Sequence, residues 1–334
     1  MAQTATSHQL INLLSTRANK ENGLAQDVMQ GLHKTPKQLS SRFFYDARGS
    51  QLFQQIMDLP EYYLTQLEYE ILDRQRKEIL FAFKTDSPFQ LIDLGAGDGY
   101  KTKLLLQELQ AQQVDFSFVP LDISPKQVEA LLAELPNEFP GIKVTSLVAE
   151  YFQGLAWLNQ NSQTRKLILF LGSNIGNFAP EEAQRFLCEL RSALGPEDRV
   201  LMGVDLRKEP EKIRLAYDDA AGVTAAFNLN LLHRINHELQ ADFNLAQFSH
   251  FAEYDPIEGT MKSYLISTQE QEVQVKLIGQ TFHFDAWEAI HTENSYKYSI
   301  KQLKTMAQAC DLEVAEVFTD STHGFADVLL MPRS

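Results

Sequence analysis

Between residues 89 and 205 the chain alternates between two patterns of apolar residues. Short apolar runs such as FQLIDL are followed by longer segments in which apolar residues recur every three or four positions. The short runs predict buried strands, and the longer segments predict helices. The predicted elements are strand 89–94, helix 100–111, strand 116–121, helix 125–135, strand 143–148, helix 152–159, strand 166–171, helix 180–194 and strand 199–205. Strands joined by helices of this length pair in parallel, which predicts an α/β fold with a doubly wound sheet.

The alternation ends after Asp205, and a different pattern follows. Residues 204–297 are predicted as helices and then a small antiparallel sheet, because period-two patterns occur in the later part. A helix at 299–310 and two closing strands come next. The first 20 residues are polar and weakly periodic, so they are predicted to be partly helical or frayed. We therefore predict two domains, a doubly wound domain of residues 67–203 and 298–334 and a smaller α+β domain of residues 1–66 and 204–297.

The composition excludes several classes of partner. The 334 residues include 44 acidic and 30 basic side chains, which gives a formal net charge of −14 without any basic block. Phosphate backbones and anionic lipid surfaces bind clustered positive charge, so we expect no nucleic acid and no membrane partner. No run reaches the roughly 20 apolar residues that span a bilayer, and the N-terminus lacks a basic region followed by an apolar core. We therefore expect a cytoplasmic protein, and we expect a monomer.

The two cysteines, Cys188 and Cys310, lie far apart in the sequence and outside any metal-like cluster. We expect them to be small buried apolar residues, without a disulfide or a structural zinc ion. Asp218 and Asp219 have no histidine or further carboxylate at ligand spacing, so we expect them to be helix-surface charges and expect no bound metal.

A glycine-rich turn joins the first predicted strand to the next helix. In LIDLGAGDGYKTKLLL, the residues Gly95, Gly97 and Gly99 permit positive φ and let a ligand approach the backbone closely. A dinucleotide fingerprint would place its third glycine at Tyr100, and Asp98 adds negative charge where a pyrophosphate would lie. The turn therefore predicts a nucleotide site that favours S-adenosylmethionine (SAM) over a nicotinamide dinucleotide, with a purely structural turn as the alternative.

The second predicted strand ends at Asp122, in VPLDIS. A carboxylate at this point of a nucleotide-binding sheet accepts hydrogen bonds from two ribose hydroxyls. The alternative is a helix N-cap before Pro125, a role that Ser124 could also fill. The turn and the carboxylate together predict a SAM-dependent methyltransferase. A nicotinamide-dependent oxidoreductase and a non-catalytic binding protein are the alternatives.

Three long segments carry a narrower signal. They are TPKQLSSRFFYDARGSQLFQQIMDLPEYYLTQLEYEIL, FLGSNIGNF and VDLRKEPEKIRLAYDDAAGVTAAFNLNLLHRINHELQADF. Through them the chain, from Gly31 to its C-terminus, resembles the histidine Nα-methyltransferases of ergothioneine biosynthesis. The resemblance implies a class I, Rossmann-like methyltransferase fold and the transfer of three methyl groups from SAM to the α-amine of L-histidine, giving hercynine. A relative that methylates another amino-acid amine or the imidazole ring is the alternative within the family.

The residues themselves indicate one part of the substrate site. Glu293 and Ser295 alternate on an extended segment, so they point to one side, where a carboxylate and a hydroxyl could bind both imidazole nitrogens. The tyrosines ahead of the nucleotide domain offer an apolar face with a polar tip, which suits either a small zwitterion or ordinary packing. The resemblance assigns Glu293 and Ser295 to the imidazole, and it implies further substrate contacts at Tyr62, Asn177, Tyr217 and Met261.

The resemblance also implies roles in catalysis and cofactor binding. Tyr45 would lie near the substrate amine and, with Asn177 and a water molecule, could take its proton. Asn177 would contact the α-amino end of the substrate, and Tyr217 its carboxylate region. The cofactor residues would be Gly95 and Lys101 for the methionine moiety, Gly97 in the turn between them, Asp122 for the ribose, and Tyr151 with Glu150, where an aspartate would be expected, for the adenine.

Overall fold

The computed structural model describes residues 8–14, 18–83 and 86–333. The strands in these ranges are β1 (His8–Asn12), β2 (Lys37–Gln38), β3 (Phe89–Leu94), β4 (Phe116–Asp122), β5 (Lys143–Val148), β6 (Arg165–Phe170), β7 (Arg199–Asp205), β8 (Phe248–Asp255), β9 (Thr260–Ser267), β10 (Gln271–Val275), β11 (Gln280–Phe284), β12 (Ala289–Tyr296), β13 (Leu312–Thr319) and β14 (Phe325–Pro332). The helices are α1 (Ala18–Leu32), α2 (Ala47–Met57), α3 (Tyr63–Phe83), α4 (Thr102–Ala111), α5 (Pro125–Glu138), α6 (Tyr151–Asn161), α7 (Pro180–Ala193), α8 (Pro210–Leu215), α9 (Val223–Leu239) and α10 (Ile300–Gln308). None of the described helices combines the length and the hydropathy that a bilayer span requires.

The chain divides into two compact units. Within the described ranges, the first unit contains residues 8–14, 64–207 and 298–333, and the second contains residues 18–63 and 208–297. The second unit is therefore assembled from a segment that precedes the large sheet and from an insertion between β7 and α10.

The first unit is built on one large sheet. Its described strands lie in the order β1, β5, β4, β3, β6, β7, β14, β13. The strands from β1 to β7 in this order pair in parallel, whereas β14 pairs antiparallel with both β7 and β13. The side chains of β6 and β7 are buried along nearly their whole length, as expected for strands covered by helices on both faces. The predicted doubly wound α/β sheet, with its antiparallel closing strands, is confirmed.

The order in which strands are added reverses at β3. From β3 the chain adds β4 and β5 on one side, and it then adds β6 and β7 on the other side. In open parallel sheets such a switch point leaves a crevice at the carboxyl ends of the strands, where ligands bind. The turn after β3 and the ends of β4, β5 and β6 therefore define where the first unit can bind a nucleotide.

The first strand departs from the sequence prediction. β1 pairs in parallel with β5, from His8 opposite Val144 to Asn12 opposite Val148. Four of its five side chains are exposed, so backbone hydrogen bonds hold it in place. The prediction of a partly helical or frayed segment was wrong here, because an edge strand with exposed side chains shows no apolar period. Residues 1–7 and 15–17 of that segment lie outside the described residues.

The second unit packs helices against a small sheet. The described strands of this sheet lie in the order β2, β12, β9, β8, with β12, β9 and β8 antiparallel and β2 parallel to β12. β10 and β11 form a separate hairpin. The core face of α9 repeats every four residues through the buried side chains of Phe227, Leu231, Ile235 and Leu239. This face packs into one apolar core with residues of α1, α2 and the sheet.

Cys188 in α7 and Cys310, just after α10, form a disulfide. The expectation that the two cysteines stay unpaired was wrong. They are 122 residues apart in sequence, but α7 and α10 pack against each other in the folded first unit. Among the described residues, no group of three or more His, Cys, Asp or Glu side chains is arranged to hold a metal ion.

The disulfide should contribute to the stability of the first unit. Closing a long loop restricts the unfolded chain, an effect worth about 2–4 kcal/mol. We expect Cys188→Ser to lower the melting temperature and to abolish its dependence on reducing agent. The measurement is a thermal melt of both proteins with and without dithiothreitol. A wild-type melting temperature that reduction leaves unchanged, with reduction verified by thiol titration, would contradict this expectation.

Candidate functional site

The turn after β3 is held by the neighbouring strand. The backbone N–H groups of Gly95 and Ala96 both donate to the Leu121 carbonyl, at 2.8 and 3.1 Å. Gly95 and Gly97 have φ angles of +80° and +54°, a region that glycine adopts without strain. A Cβ at Gly97 would meet no atom within 4 Å, whereas one at Gly95 would lie 3.2 Å from the Tyr151 hydroxyl. The turn therefore presents bare backbone to open space, as a nucleotide site requires.

Asp122 stands beside this turn, at the end of β4. One of its carboxylate oxygens accepts a hydrogen bond from the Gly97 N–H at 3.1 Å, and the other accepts from the Ser124 N–H at 2.9 Å. Burial raises the pKa of Asp122, and these backbone hydrogen bonds oppose the rise. Each carboxylate oxygen has two lone pairs, so both oxygens keep acceptor capacity for hydroxyl groups. Backbone donors thus fix the side chain while it can still accept from a ligand.

Glu150 and Tyr151 follow β5 at the same end of the sheet. Tyr151 packs edge-on against Phe170, with ring centroids 5.5 Å apart. Burial, followed by the negative charges of Asp122 and Asp93, raises the pKa of the Tyr151 hydroxyl, which therefore stays neutral and able to donate. Glu150 is exposed and makes no capping hydrogen bond at the start of α6. The structure brings Tyr151 to the glycine turn and leaves Glu150 exposed at the adjacent strand end.

Lys101 pairs with a buried carboxylate, that of Glu68 in α3. Both oxygens of Glu68 accept from the backbone N–H of Gly172, at 2.8 and 3.0 Å. A Cβ at Gly203 would lie 1.9 Å from Glu68, so only glycine fits there. A fully buried carboxylate needs such partners. Glu68 was not predicted as a site residue, because nothing in QLEYEIL distinguishes it from an ordinary helix residue.

Two further carboxyl groups are buried near this pair. Asp327 in β14 lies opposite Gly203, and neither of its oxygens has a hydrogen-bond partner among the described residues. Burial, followed by the charge of Glu68, raises the pKa of Asp327 well above its ordinary value. Asp93 in β3 accepts from the Thr102 hydroxyl at 2.5 Å, and burial raises its pKa to about 7. Burial therefore favours the neutral, protonated form of both groups.

Asn177 ends the short 3-10 turn Asn174–Asn177 that follows β6. The turn begins after Ser173, which has a φ of +57°, and the Asn174 amide donates to the Leu171 carbonyl at 2.9 Å. The Asn177 side chain is exposed. It therefore lies at the carboxyl end of β6, on the strand next to the switch point, where a ligand can reach its amide.

In the second unit, a β-bulge sets the direction of the residues predicted to bind imidazole. β12 pairs with β9 so that His291 is opposite Tyr264 and Glu293 is opposite Ser263, and the register passes over Thr292. The most deeply buried positions of this segment are even-numbered before the bulge and odd-numbered after it. A bulge redirects the side chains that follow it. The inward-facing side chains are therefore even-numbered before the bulge and odd-numbered after it.

Tyr217, Ser295 and Lys297 are joined by three mutual hydrogen bonds. The Tyr217 hydroxyl donates to Ser295 Oγ at 2.8 Å, and Lys297 Nζ donates to the Tyr217 oxygen at 2.7 Å and to Ser295 Oγ at 2.8 Å. Lys297 is only 1% exposed, and its ammonium group lies 4.6 Å from the centre of the Tyr217 ring. The structure brings the Tyr217 hydroxyl to Ser295, and the role that the resemblance implies for Tyr217 at the substrate carboxylate stays a prediction.

Lys297 is a second residue that sequence analysis missed. A signal for it was available, because the alternation from Glu293 to Ser295 reaches Lys297 at the next step. The strand itself ends at Tyr296, so the alternation extends one residue beyond the ladder. A lysine in such a position is commonly exposed, and only the fold shows that this one is buried.

Glu293 is partly exposed, and no described residue donates a hydrogen bond to its carboxylate. Burial raises the pKa of Glu293 to about 7, and the positive charge of Lys297 opposes the rise. An acceptor without a protein donor is costly to bury, so a ligand N–H that reaches it would be bound favourably. Glu293 thus lies on the same face of β12 as the Ser295 hydroxyl.

Apolar and aromatic side chains accompany this polar pair. Met261 is buried in β9 directly opposite Ser295. The Tyr62 ring lies 6.3 Å from the Tyr217 ring. Tyr45 is 41% exposed, and its ring packs against phenylalanines of α2 and α9 at 5.4 and 5.6 Å. The structure therefore brings together the predicted substrate residues of the second unit, with Tyr45 at the exposed margin of the aromatic cluster.

The sequence matches a known family and several named relatives. Residues 24–332 match the family described as histidine-specific methyltransferase, SAM-dependent. The histidine N-alpha-methyltransferase of Mycobacterium tuberculosis is 36% identical over 90% of this chain and 92% of that protein. The enzyme of the same name from Mycolicibacterium smegmatis is 36% identical over 95% of each chain. Ergothioneine biosynthesis protein 1 of Neurospora crassa is 33% identical over 85% of this chain, which spans 32% of that longer protein.

The raised pKa of Glu293 should make stability depend on pH. The pKa is about 7 in the folded protein and 4.5 ordinarily, so the fold loses stability as pH rises through this interval. The full shift corresponds to about 3 kcal/mol, which partial exposure reduces to about 1–2 kcal/mol. We expect the melting temperature of Glu293→Gln to fall less than that of the wild type between pH 5 and 8.

The comparison of the two proteins isolates this residue. Asp93, whose pKa is also raised to about 7, is present in both and contributes equally. Melting curves recorded from pH 4.5 to 8.5 in one buffer series would show the difference. Parallel melting temperatures of wild type and variant across this range would contradict the assignment of a raised pKa to Glu293.

Proposed function

The chain belongs to the SAM-dependent, histidine-specific methyltransferases, and from this premise we propose that it methylates the α-amine of L-histidine. The proposed product of three transfers is the trimethylammonium betaine hercynine, on the route to ergothioneine. Two relatives that cover nearly the whole chain are named for histidine N-alpha-methylation, and a longer fungal relative is named for ergothioneine biosynthesis, which supports this proposal.

The observation that carries the choice of substrate is the arrangement of Glu293 and Ser295. A neutral imidazole has one N–H donor and one acceptor nitrogen. Glu293 offers an acceptor that no described residue satisfies, and Ser295 offers a hydroxyl whose oxygen already accepts from Tyr217 and Lys297. The pair therefore matches an imidazole. An indole, which has an N–H but no acceptor nitrogen, would leave the Ser295 hydrogen without a partner.

The first unit fits the methyl donor. SAM, when bound, supplies an activated methyl group on a sulfonium centre. The bare backbone at Gly97 leaves space for a ligand, and Asp122 keeps acceptor capacity for ribose hydroxyls. We assign Gly95 and Lys101 to the methionine moiety and Tyr151 with Glu150 to the adenine. The first unit is thus the proposed cofactor domain, and the second unit is the proposed substrate domain.

The chemistry asks the protein mainly for alignment and for a neutral amine. Methyl transfer to nitrogen is an in-line displacement, and good alignment can lower its barrier by roughly 7–11 kcal/mol at best. The substrate ammonium must lose a proton before nitrogen can attack. We assign roles in this proton transfer, with water as the carrier of the proton, to Tyr45 and to Asn177, since a phenol and an amide can each accept a hydrogen bond from an amine.

We also propose that the enzyme is a cytoplasmic monomer that binds neither nucleic acid nor membranes. The net charge of −14 supports the absence of polyanionic partners, because such partners require clustered positive charge. Size-exclusion chromatography with light scattering tests the monomeric state.

The substrate proposal predicts a specific product. Purified protein incubated with SAM and each of the amino acids in turn should add three methyl groups to histidine alone, with the additions on the α-nitrogen. Mass spectrometry counts the additions, and NMR of the product places them. A single addition, methylation of the imidazole ring or a different preferred amino acid would contradict the proposal.

Removal of the Glu293 carboxylate should abolish histidine recognition. We expect Glu293→Ala to lower kcat/KM for histidine by at least about 100-fold, because the imidazole N–H loses its acceptor. Affinity for S-adenosylhomocysteine should stay unchanged. Glu272→Ala is the matched control, since this glutamate is exposed on β10 of the same unit. Wild-type histidine turnover by Glu293→Ala would refute the assignment of this pocket.

A further inference from the structure

Lys297 is buried, although lysine side chains are almost always exposed. Its ammonium group is almost completely buried and lies within hydrogen-bond distance of both Tyr217 and Ser295. An ammonium group carries three hydrogens and no lone pair, so it can only donate. Both hydroxyl oxygens must therefore accept from Lys297. One lone pair of each hydroxyl is taken by this contact, so the hydroxyl hydrogen cannot point toward the lysine.

The hydrogen bond between the two hydroxyls then has a preferred direction. Phenol is the stronger acid and the better donor, and its oxygen shares electron density with the ring, so it is the poorer acceptor. Donation by Lys297 polarises the Tyr217 hydroxyl further in the same sense. Tyr217 therefore donates to Ser295 Oγ, which lies 2.8 Å from its hydroxyl oxygen.

The Ser295 oxygen then has no acceptor capacity left. A serine hydroxyl has two lone pairs and one hydrogen. Both lone pairs are taken, one by Tyr217 and one by Lys297. The Ser295 hydrogen must therefore point away from Tyr217 and Lys297. The Ser295 side chain lies on the same face of β12 as Glu293. The pocket thus combines one fixed donor with one acceptor.

We propose that Lys297 is a positioning residue for substrate recognition, which fixes the direction of the Tyr217 and Ser295 hydrogen bonds so that Ser295 donates to the acceptor nitrogen of imidazole. The inference rests on the proposed histidine substrate. Lys297 acts through Ser295. Its positive charge also lowers the pKa of Glu293, which burial raises. Without the lysine, the serine hydrogen could turn toward Tyr217 and leave the imidazole nitrogen without a donor.

The test compares ligands that differ in one ring atom. The two pyrrolylalanines, linked at carbon 2 or carbon 3, keep a ring N–H but replace the acceptor nitrogen by carbon. Calorimetry with saturating S-adenosylhomocysteine gives the Kd of histidine and of each analogue without turnover. In the wild type we expect histidine to bind about 10- to 100-fold more tightly than the better analogue, because the analogue leaves Ser295 unmatched.

Two replacements of Lys297 separate the donor from the charge. Lys297→Met keeps the length of the side chain but has no donor. We expect it to reduce the ratio of the analogue Kd to the histidine Kd to the value measured for Ser295→Ala, which lacks the serine hydroxyl. Lys297→Gln has no charge but can donate through its amide, and we expect it to retain most of the wild-type ratio. In Lys297→Met the KM for histidine should rise about 10-fold or more, while kcat at saturation should change less than about 3-fold.

The outcomes distinguish this inference from a structural role and from the substrate proposal. A lysine needed only for packing would weaken histidine and analogue alike, and a wild-type ratio in Lys297→Met would overturn the inference. An equal loss of the ratio in both variants would overturn it too, because charge and not donation would then matter. If Lys297→Met does not fold, Lys297→Leu, which also has no donor, is judged by the same criterion. Failure of the wild type to bind histidine would instead refute the proposed function.

Discussion

The buried carboxylate of Glu68 holds together the part of the first unit that has to bind a nucleotide. It comes from α3, accepts hydrogen bonds from the backbone at Gly172 and pairs with Lys101 just before α4. A carboxylate without water is strongly destabilising unless such partners surround it. This requirement accounts for the absence of a side chain at Gly203 in β7, and it fixes the relative positions of the strand and helix ends at the switch point. Each of these elements either bonds to one charge or leaves room for it.

The second unit uses the same principle with the opposite sign. There the buried charge is the ammonium group of Lys297, and its neighbours are hydroxyl groups. A carboxylate can only accept and an ammonium can only donate, so each one orders the hydrogen bonds around it. In the first unit this order concerns the backbone near the glycine turn. In the second unit it concerns Tyr217 and Ser295, which belong to the proposed imidazole pocket.

The sequence was sufficient where the chemistry is local. Apolar runs predicted β3, β5 and β7 with the bounds that the structure has, since strands covered on both faces must be apolar. The edge strand β1 was missed because its side chains are exposed. Partners distant in sequence also escaped prediction. The pairing of Cys188 with Cys310 and the burial of Glu68 depend on which helices and strands become neighbours, and no pattern within a single segment records this. The role of Glu293 stays a prediction, made from its spacing to Ser295 and from the family resemblance, and the structure places the two side chains on one face of β12.

The register between β12 and β9 makes the length of β12 part of the proposed recognition site. Because side chains alternate between the two faces, one residue more or less exchanges the faces of everything that follows. Deletion of Asn294 would bring Ser295 opposite Lys262 and turn it to the face away from Glu293, although neither residue would be mutated. The loss of a single codon here could therefore change the methylated substrate in one evolutionary step, whereas replacement of both residues needs at least two. Alignments of relatives with other substrates should therefore be read for gaps in this strand as well as for replacements.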